Sequence, residues 1–503
     1  MKTLKYTLFA AVACLMLGTA CTHKFDEYNT DPNRMVEGKA EPMSFLENIV
    51  FDGADLLLYR TYQINGELIQ YTVSTTVSNA FHRFIVTNGN ASNCWNELAT
   101  AAANANEMIS LAQLKDRKEC EAVGLTMRTL FLQSLTDMFG DIPCSEAFQG
   151  RDGNTMPRFD AQEEVYAQLL ADLERANELY AASGVTTLQY PNKDLLYGGD
   201  VSKWRKFNNS LYLRLLMRVS GRDAYLDVAK RLKEVVAQPD TWPVFTSNDD
   251  AAVMKFTGVT PNENRFGKMN SKSFTVTGRR ACQHMADLMT PSKDPRYEIY
   301  FEPKGQGWSG LISGRAIKED EGEDSTADYL RKTVLGDYTS WYAFMRYDEV
   351  LFILAEAAQR GLIGGGEAVA ADCYTRAVEA SVRYWGSQTA KQPDDIVIED
   401  FLAKVAYDGS YKQLVEQKYI ALFWCGYEGW NEYRRTGYPI LTINEGTKNN
   451  HVVPRRFEYP NITRDTNLDN YQAALTRLQE RYQGGDDMLT PVWWSKEGIR
   501  RYR

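Results

Sequence analysis

Glu97-Leu-Ala-Thr-Ala-Ala-Ala-Asn-Ala-Asn-Glu-Met-Ile109 is followed, after a short polar break, by the run 118–138, in which Val123, Met127, Phe131, Leu135 and Met138 recur at steps of four and three. Those steps put the five side chains on one stripe of a helix, which is how an amphipathic helix buries itself. The alanines of the first segment are small enough to let a neighbouring helix pack closely against them. Gly140-Asp-Ile-Pro143 ends the second segment, because proline lacks the N–H and its ring clashes with the turn before it. The spacing predicts a pair of packed helices over 97–114 and 118–138.

The same pattern recurs outward from that pair. A second pair is expected over 161–183 and 201–220, where Trp204, Phe207, Leu211 and Leu215 form one buried face. A third spans 342–361 and 367–386, split by Gly361 and Gly364-Gly365-Gly366, and a fourth joins a short helix at 397–406 to a longer one at 410–434. Repeated helix-turn-helix pairs with Ala, Leu and Tyr at the crossing positions point to a mainly α chain of about four tetratricopeptide-like pairs. The repeats are degenerate and widely separated, so a helical scaffold carrying a loop-rich capping subdomain is expected in place of a regular solenoid. That subdomain is the region 240–340, rich in Gly, Asn, Ser and Thr with short β-branched runs such as Ser273-Phe-Thr-Val-Thr277. The expected division is 1–20, 21–41, 42–239, 240–340 and 341–503, with 437–465 and 482–495 loop-like.

The first two of those segments read as processing and tether. Met1-Lys-Thr-Leu-Lys5 is a basic start, Tyr6 to Leu17 is an apolar run, and Gly18-Thr-Ala-Cys21 supplies small residues before a cysteine. This is a secretory signal peptide, because the apolar run is shorter than the ~20 residues a bilayer needs. A cysteine directly after the small residues marks the lipoprotein variant, in which Cys21 takes the lipid and becomes the new N-terminus. Residues 22–41 are polar and unperiodic and suit a flexible tether.

Composition narrows the functional class. The formal charge is −9, and removing residues 1–20 takes Lys2 and Lys5 and makes it −11. No basic face dominates, which argues against nucleic acid as a partner. Six cysteines follow Cys21, with no two closer than 24 residues, so neither CxxC nor a zinc spacing occurs. Cys120 and Cys373 fall in helical patterns and read as small buried hydrophobes. Of four histidines, His23 lies in the tether, and His82, His284 and His451 lack a second histidine at metal-ligand spacing. The single GxGxxG, Gly305-Gln-Gly307-Trp-Ser-Gly310, follows Pro303-Lys304 and precedes no amphipathic helix, so it is a loop and not a dinucleotide turn. The acidic run Lys318-Glu-Asp-Glu-Gly-Glu-Asp324 reads as a solvated loop. No catalytic constellation, metal site or cofactor site emerges, and a binding protein is the simpler reading.

Several ordered motifs then carry a resemblance. Asp26-Glu-Tyr-Asn-Thr-Asp-Pro-Asn33, Leu135-Thr-Asp-Met-Phe-Gly-Asp-Ile-Pro143 and Lys203-Trp-Arg-Lys-Phe-Asn-Asn-Ser-Leu211 with Leu213-Arg214 are similar to those of the SusD/RagB family. So are Arg346-Tyr-Asp-Glu-Val-Leu-Phe-Ile-Leu-Ala-Glu-Ala357, Gly429-Trp-Asn-Glu-Tyr-Arg-Arg-Thr-Gly-Tyr-Pro439 and Val453-Pro-Arg-Arg-Phe-Glu-Tyr-Pro460. The set runs nearly end to end in the family's order and most resembles the SusD-like nutrient-binding outer-membrane lipoproteins of Bacteroidetes. Lys24 with Asp26-Glu27 also resembles the acidic surface-export signal of those lipoproteins. Within the motifs, Arg346, Arg434 and Arg435 are expected to pair with acids such as Glu349 or Glu356, or to bond loop carbonyls. Trp95 is expected in the core.

The resemblance implies a cell-surface, lipid-anchored lid on a SusC-type TonB-dependent transporter. Such proteins capture oligosaccharides, less often peptides, and deliver them without cleavage. The alternatives are capture of a peptide or other nutrient in the same lid role, or a pure protein-interaction scaffold. A sugar site needs an aromatic platform edged by hydrogen-bonding side chains. Two stretches have that composition: Phe81, His82 and Arg83 with Asn88 and Asn90, and the glycine-flanked Trp308. Asp337-Tyr-Thr-Ser-Trp-Tyr342 adds Trp341, next to a helix expected to begin near Phe344.

Overall fold

The Ala-rich pair sets the packing of the whole chain. In the computed structural model, which describes residues 40–75, 80–316, 326–389 and 393–501, α1 (Leu46–Arg60) leads into α2 (Asn88–Leu114) and α3 (Lys118–Phe139). Helix α2 starts nine residues before the Ala-rich segment because Thr87 and Asn90 form a capping box. Thr87 Oγ1 accepts from Asn90 N (3.2 Å) and Asn90 Oδ1 from Thr87 N (2.9 Å). Ala101, Ala102 and Ala105 are buried, and Gly124 of α3 sits where an added Cβ would lie 2.6 Å from Ile109 Cγ1. The expected close approach is therefore real, and a glycine allows it.

Helices α4 (Gln162–Ser183) and α5 (Val201–Arg218) continue the stack, each packed on the one before. Asp200 caps α5 by accepting from Ser202 N and Lys203 N (2.9 and 3.2 Å). The amphipathic α6 (Val228–Ala237) then leads to the insertion. There β2 (Ala252–Lys255), β3 (Arg279–Ala281), β4 (Phe301–Glu302), β5 (Tyr329–Leu330) and β6 (Trp341–Met345) belong to two small antiparallel sheets, with α7 (Gln283–Met289) between β3 and β4. The larger sheet runs β1-β3-β5-β4, and its β1 (Thr72–Ser74) comes from the N-terminal region, so pairing crosses the expected boundary at 240. Strand β6 pairs with β2 and corrects the expectation of a helix from 342. The run Trp-Tyr-Ala-Phe-Met is aromatic and suits a strand, and Arg346 is still extended (φ −120°, ψ 163°).

Helix α8 (Tyr347–Gln359) packs on α5 and on α9 (Gly366–Gly386), followed by α10 (Asp395–Lys404), α11 (Tyr411–Ala421) and α12 (Glu428–Thr436). The single helix expected over 410–434 is two, because Trp424 and Gly426 take left-handed φ of 64° and 53°. Helices α13 (Leu468–Tyr482) and α14 (Lys496–Arg501) close the chain. From Pro42 to Arg503 the chain is one unit, mainly α and tetratricopeptide-like, as expected. Among the described residues no helix is long and apolar enough to cross a membrane.

Ion pairs hold the helices to one another. Arg435 Nη1 lies 2.6 Å from Glu356 Oε1, and Arg434 donates to Asp137 O and Arg455 O (2.6 and 2.9 Å), as the sequence leads one to expect. Arg346 pairs with Asp348 (3.2 Å) and donates to Ala421 O, while Glu349 pairs with Arg214 (2.6 Å). Trp95 packs edge-on against Phe139 and stacks with Phe159. Cys120 and Cys373 are buried, and the six described cysteines are all free thiols. Cys21, Lys24, Asp26, Glu27 and the acidic run 318–324 lie outside the described residues.

Candidate functional site

The glycine-flanked loop 303–310 is held by one buried carboxylate. Asp328, fully enclosed, accepts from Lys304 N (3.0 Å), Ser309 N (2.9 Å) and the Tyr297 hydroxyl (2.8 Å). Burial pushes the Tyr297 phenol well above its usual range, and Asp328 raises it further, so Tyr297 stays protonated and donates. Gly310 N donates to Gln283 Oε1 (3.0 Å), and an added Cβ there would fall 2.2 Å from Cys282 C, so only glycine lets the loop pass. Gly307 supplies a left-handed turn (φ 78°) just before the tryptophan.

The loop so fixed presents Trp308. Its indole stacks on the Tyr297 ring (centroids 4.3 Å, planes 12° apart), and its Nε1 donates to Glu298 Oε1 (3.3 Å). Tyr297 covers one face. Half-buried Trp308 lines a cleft of about 930 Å³, within the range of small-molecule sites. Polar lining comes from Lys293, Arg331, Thr333 and Gln388, and apolar lining from Ile299, Val334 and Val397. Arg331 is oriented by its own donors, Nε to Glu298 O (2.6 Å) and Nη2 to Phe301 O (3.2 Å). The cleft thus lies between the insertion and the segment joining α9 to α10. Nothing local in the sequence marks Gln388 or Arg331, which meet only in the fold.

The stretch around Phe81 is placed differently from its expectation. Phe81, His82 and Arg83 form one 3-10 turn and are 4%, 0% and 1% exposed, so they offer no surface to a ligand. They are a knot that ties loops together. Gly314 N donates to His82 Nδ1 (2.9 Å), Arg83 Nε donates to Arg315 O (2.9 Å), and Lys448 N donates to Arg83 O (2.8 Å). Burial, then nearby Arg83, Arg315 and Arg279, pushes His82 down to about 2, so it is neutral. Asn90 is the capping-box partner, and Asn88 bonds Asn461 Oδ1 and Ser92 Oγ (both 3.3 Å), so both amides serve the start of α2. Trp341 lies in β6, half-buried beneath Lys255 Nζ (4.2 Å from its ring), and does not line the cleft. Of the sequence candidates, the structure brings only Trp308 to the cleft. Among the described residues no group of three His, Cys, Asp or Glu is arranged to hold a metal ion.

The comparisons with known proteins match this architecture. A family model described as SusD-like, starch-binding and associating with the outer membrane matches residues 32–460. A solved structure of a chitin-binding protein is similar at TM-score 0.78 and 26% identity, covering 90% of this chain and all of that one. A SusD homologue from Bacteroides thetaiotaomicron is similar at TM-score 0.74 and 24% identity, covering 91% of this chain and 99% of its own. One from Bacteroides fragilis gives 0.72 and 22%, covering 90% and 100%; these two show the fold. No curated protein matches the chain in sequence. The family model covers most of the chain, and the chain belongs to the SusD/RagB family, which that model describes as associating with the outer membrane.

Proposed function

We propose that this protein is a cell-surface lipoprotein, anchored through Cys21, that captures an oligosaccharide in the Trp308 cleft and delivers it uncleaved to a SusC-type TonB-dependent transporter. The observation that carries the reading is the Tyr297-backed Trp308 platform, edged by the donors of Lys293, Arg331, Thr333 and Gln388. Sugars present apolar C–H faces to such a ring and hydroxyls to such an edge. The family description as starch-binding and the chitin-binding relative support a carbohydrate as the ligand. Glycoside hydrolysis needs two carboxyl groups flanking the bond. Of the residues that line the cleft only Glu298 carries one, and it accepts the Trp308 N–H.

The test is calorimetry on a soluble form lacking residues 1–21, with chitin and starch oligosaccharides. Trp308→Ala weakens binding at least tenfold, about 1.4 kcal/mol or more, with an unchanged melting temperature. Trp341→Ala, outside the cleft, leaves affinity as it is. Equal binding by Trp308→Ala and the native protein would refute the site. Retention of peptides in place of every glycan would favour peptide capture in the same lid role.

A further inference from the structure

A second cleft, of about 500 Å³, shares no lining residue with the first. It lies where Arg360, just past α8, meets the end of α12 and the last helix α14. Four of its lining residues are basic, Arg360, Arg435, Lys496 and Arg500, and none is acidic, in a chain whose net charge is −9. Among the described residues the carboxylates that pair with these bases are Glu356 and Glu432 beneath the floor and Glu497 beside Arg500. Lys418 also pairs with Glu432 (3.0 Å) and Arg455 with Glu497 (3.9 Å), so among the described residues the cations outnumber the carboxylates they touch. Lys496 Nζ donates to Thr436 O (3.2 Å) and makes no ion pair among the described residues.

Trp494, 0% exposed, backs this cleft, and its buried indole N–H is closed off from it. Tyr411 and Tyr438, packed edge to face at 6.2 Å, and Ile499 wall the rest of the space. Guanidinium forks and an ammonium, with cations in excess, suit a tetrahedral oxyanion carrying about −1.5 to −2 charges at neutral pH.

We propose that this cleft is a binding site for a phosphate group, set between Arg360, Lys496 and Arg500 with the Trp494 side of the cleft behind it. The group can come from a soluble phosphate or from a phospholipid headgroup, and two arms separate the sources. The first is calorimetry of the soluble form with inorganic phosphate at fixed ionic strength, against chloride. The second is flotation with phosphatidylcholine vesicles with and without phosphatidic acid. Binding in the first arm assigns a soluble ligand, and binding in the second alone assigns a lipid. In the productive arm Lys496→Met/Arg500→Met lowers affinity at least tenfold, while Trp308→Ala leaves it unchanged. Both replaced side chains are exposed, so the variant keeps its fold and its oligosaccharide binding. Absence of binding in both arms, or equal binding by the double variant, would overturn the site and leave the Trp308 reading standing.

Discussion

His82 occupies a space with no route for its second proton. The Gly314 N–H points at Nδ1, so the ring carries its hydrogen on Nε2, which finds no partner among the described residues. Arg83, Arg315 and Arg279 surround it, and the Glu67 carboxylate, which accepts His82 N, is paired with Arg279. With a folded value of about 2 against 6.5 unfolded, the folded chain binds fewer protons between those limits. The stability this contributes is whole above pH 6.5 and is lost as pH falls below it, at about 1.4 kcal/mol per pH unit. Urea unfolding of the native protein and His82→Gln at pH 6.5, 5.5 and 4.5 checks this. The native protein's advantage shrinks by that slope, and a constant difference would refute the account. The residue also shows what composition conceals. Phenylalanine, histidine, arginine and amides suit an exposed sugar platform and a buried knot equally well. Only the partners of Phe81–Arg83 at 314, 315 and 448 distinguish the two, and they lie far off in the chain. Glycines on both sides leave the Trp308 indole little cover from its own loop, and the structure places it half-buried on the cleft, stacked on Tyr297.

Helices are legible where a face repeats over several turns, as in α3, α4 and α9. Boundaries failed where one residue overrides the pattern. Thr87 starts α2 early, Trp424 and Gly426 cut a long run in two, and the aromatic strand β6 runs to Met345 where a helix was expected from 342. At the α2–α3 contact the sequence and the structure agree most closely, and the contact can be tested. A side chain at Gly124 meets Ile109 Cγ1 and, at 3.2 Å, the Ala105 carbonyl, which cannot move without bending α2. Gly124→Val therefore destabilises by about 1–3 kcal/mol. Gly150→Ala, where an added Cβ has nothing within 4 Å, stays within about 0.5 kcal/mol. Denaturant midpoints compare the two, and a neutral Gly124→Val would mean that the helices are not in close contact there.

Across the whole molecule, distant segments meet in a buried charge network that no local pattern reveals. Arg218 of α5 reaches Asp137 of α3 (2.8 Å) and Glu428 of α12, and Arg214 reaches Glu349 of α8. Arg218 is 1% exposed, so Arg218→Met leaves two buried acids short of a counter-charge and costs about 3–5 kcal/mol, read as a lower urea midpoint. An unchanged midpoint would show the network to be dispensable. This scaffold fixes where the insertion sits against α9 and α10, and so where the cleft opens. The central claim is that the cleft takes a sugar on Trp308. A crystal structure of the soluble form with a chitin or starch oligosaccharide tests it most directly. The expected result is an intact sugar ring against the Trp308 indole, with hydroxyls reaching Arg331, Lys293 or Gln388. A sugar seated elsewhere, with the Trp308 cleft empty, would contradict it.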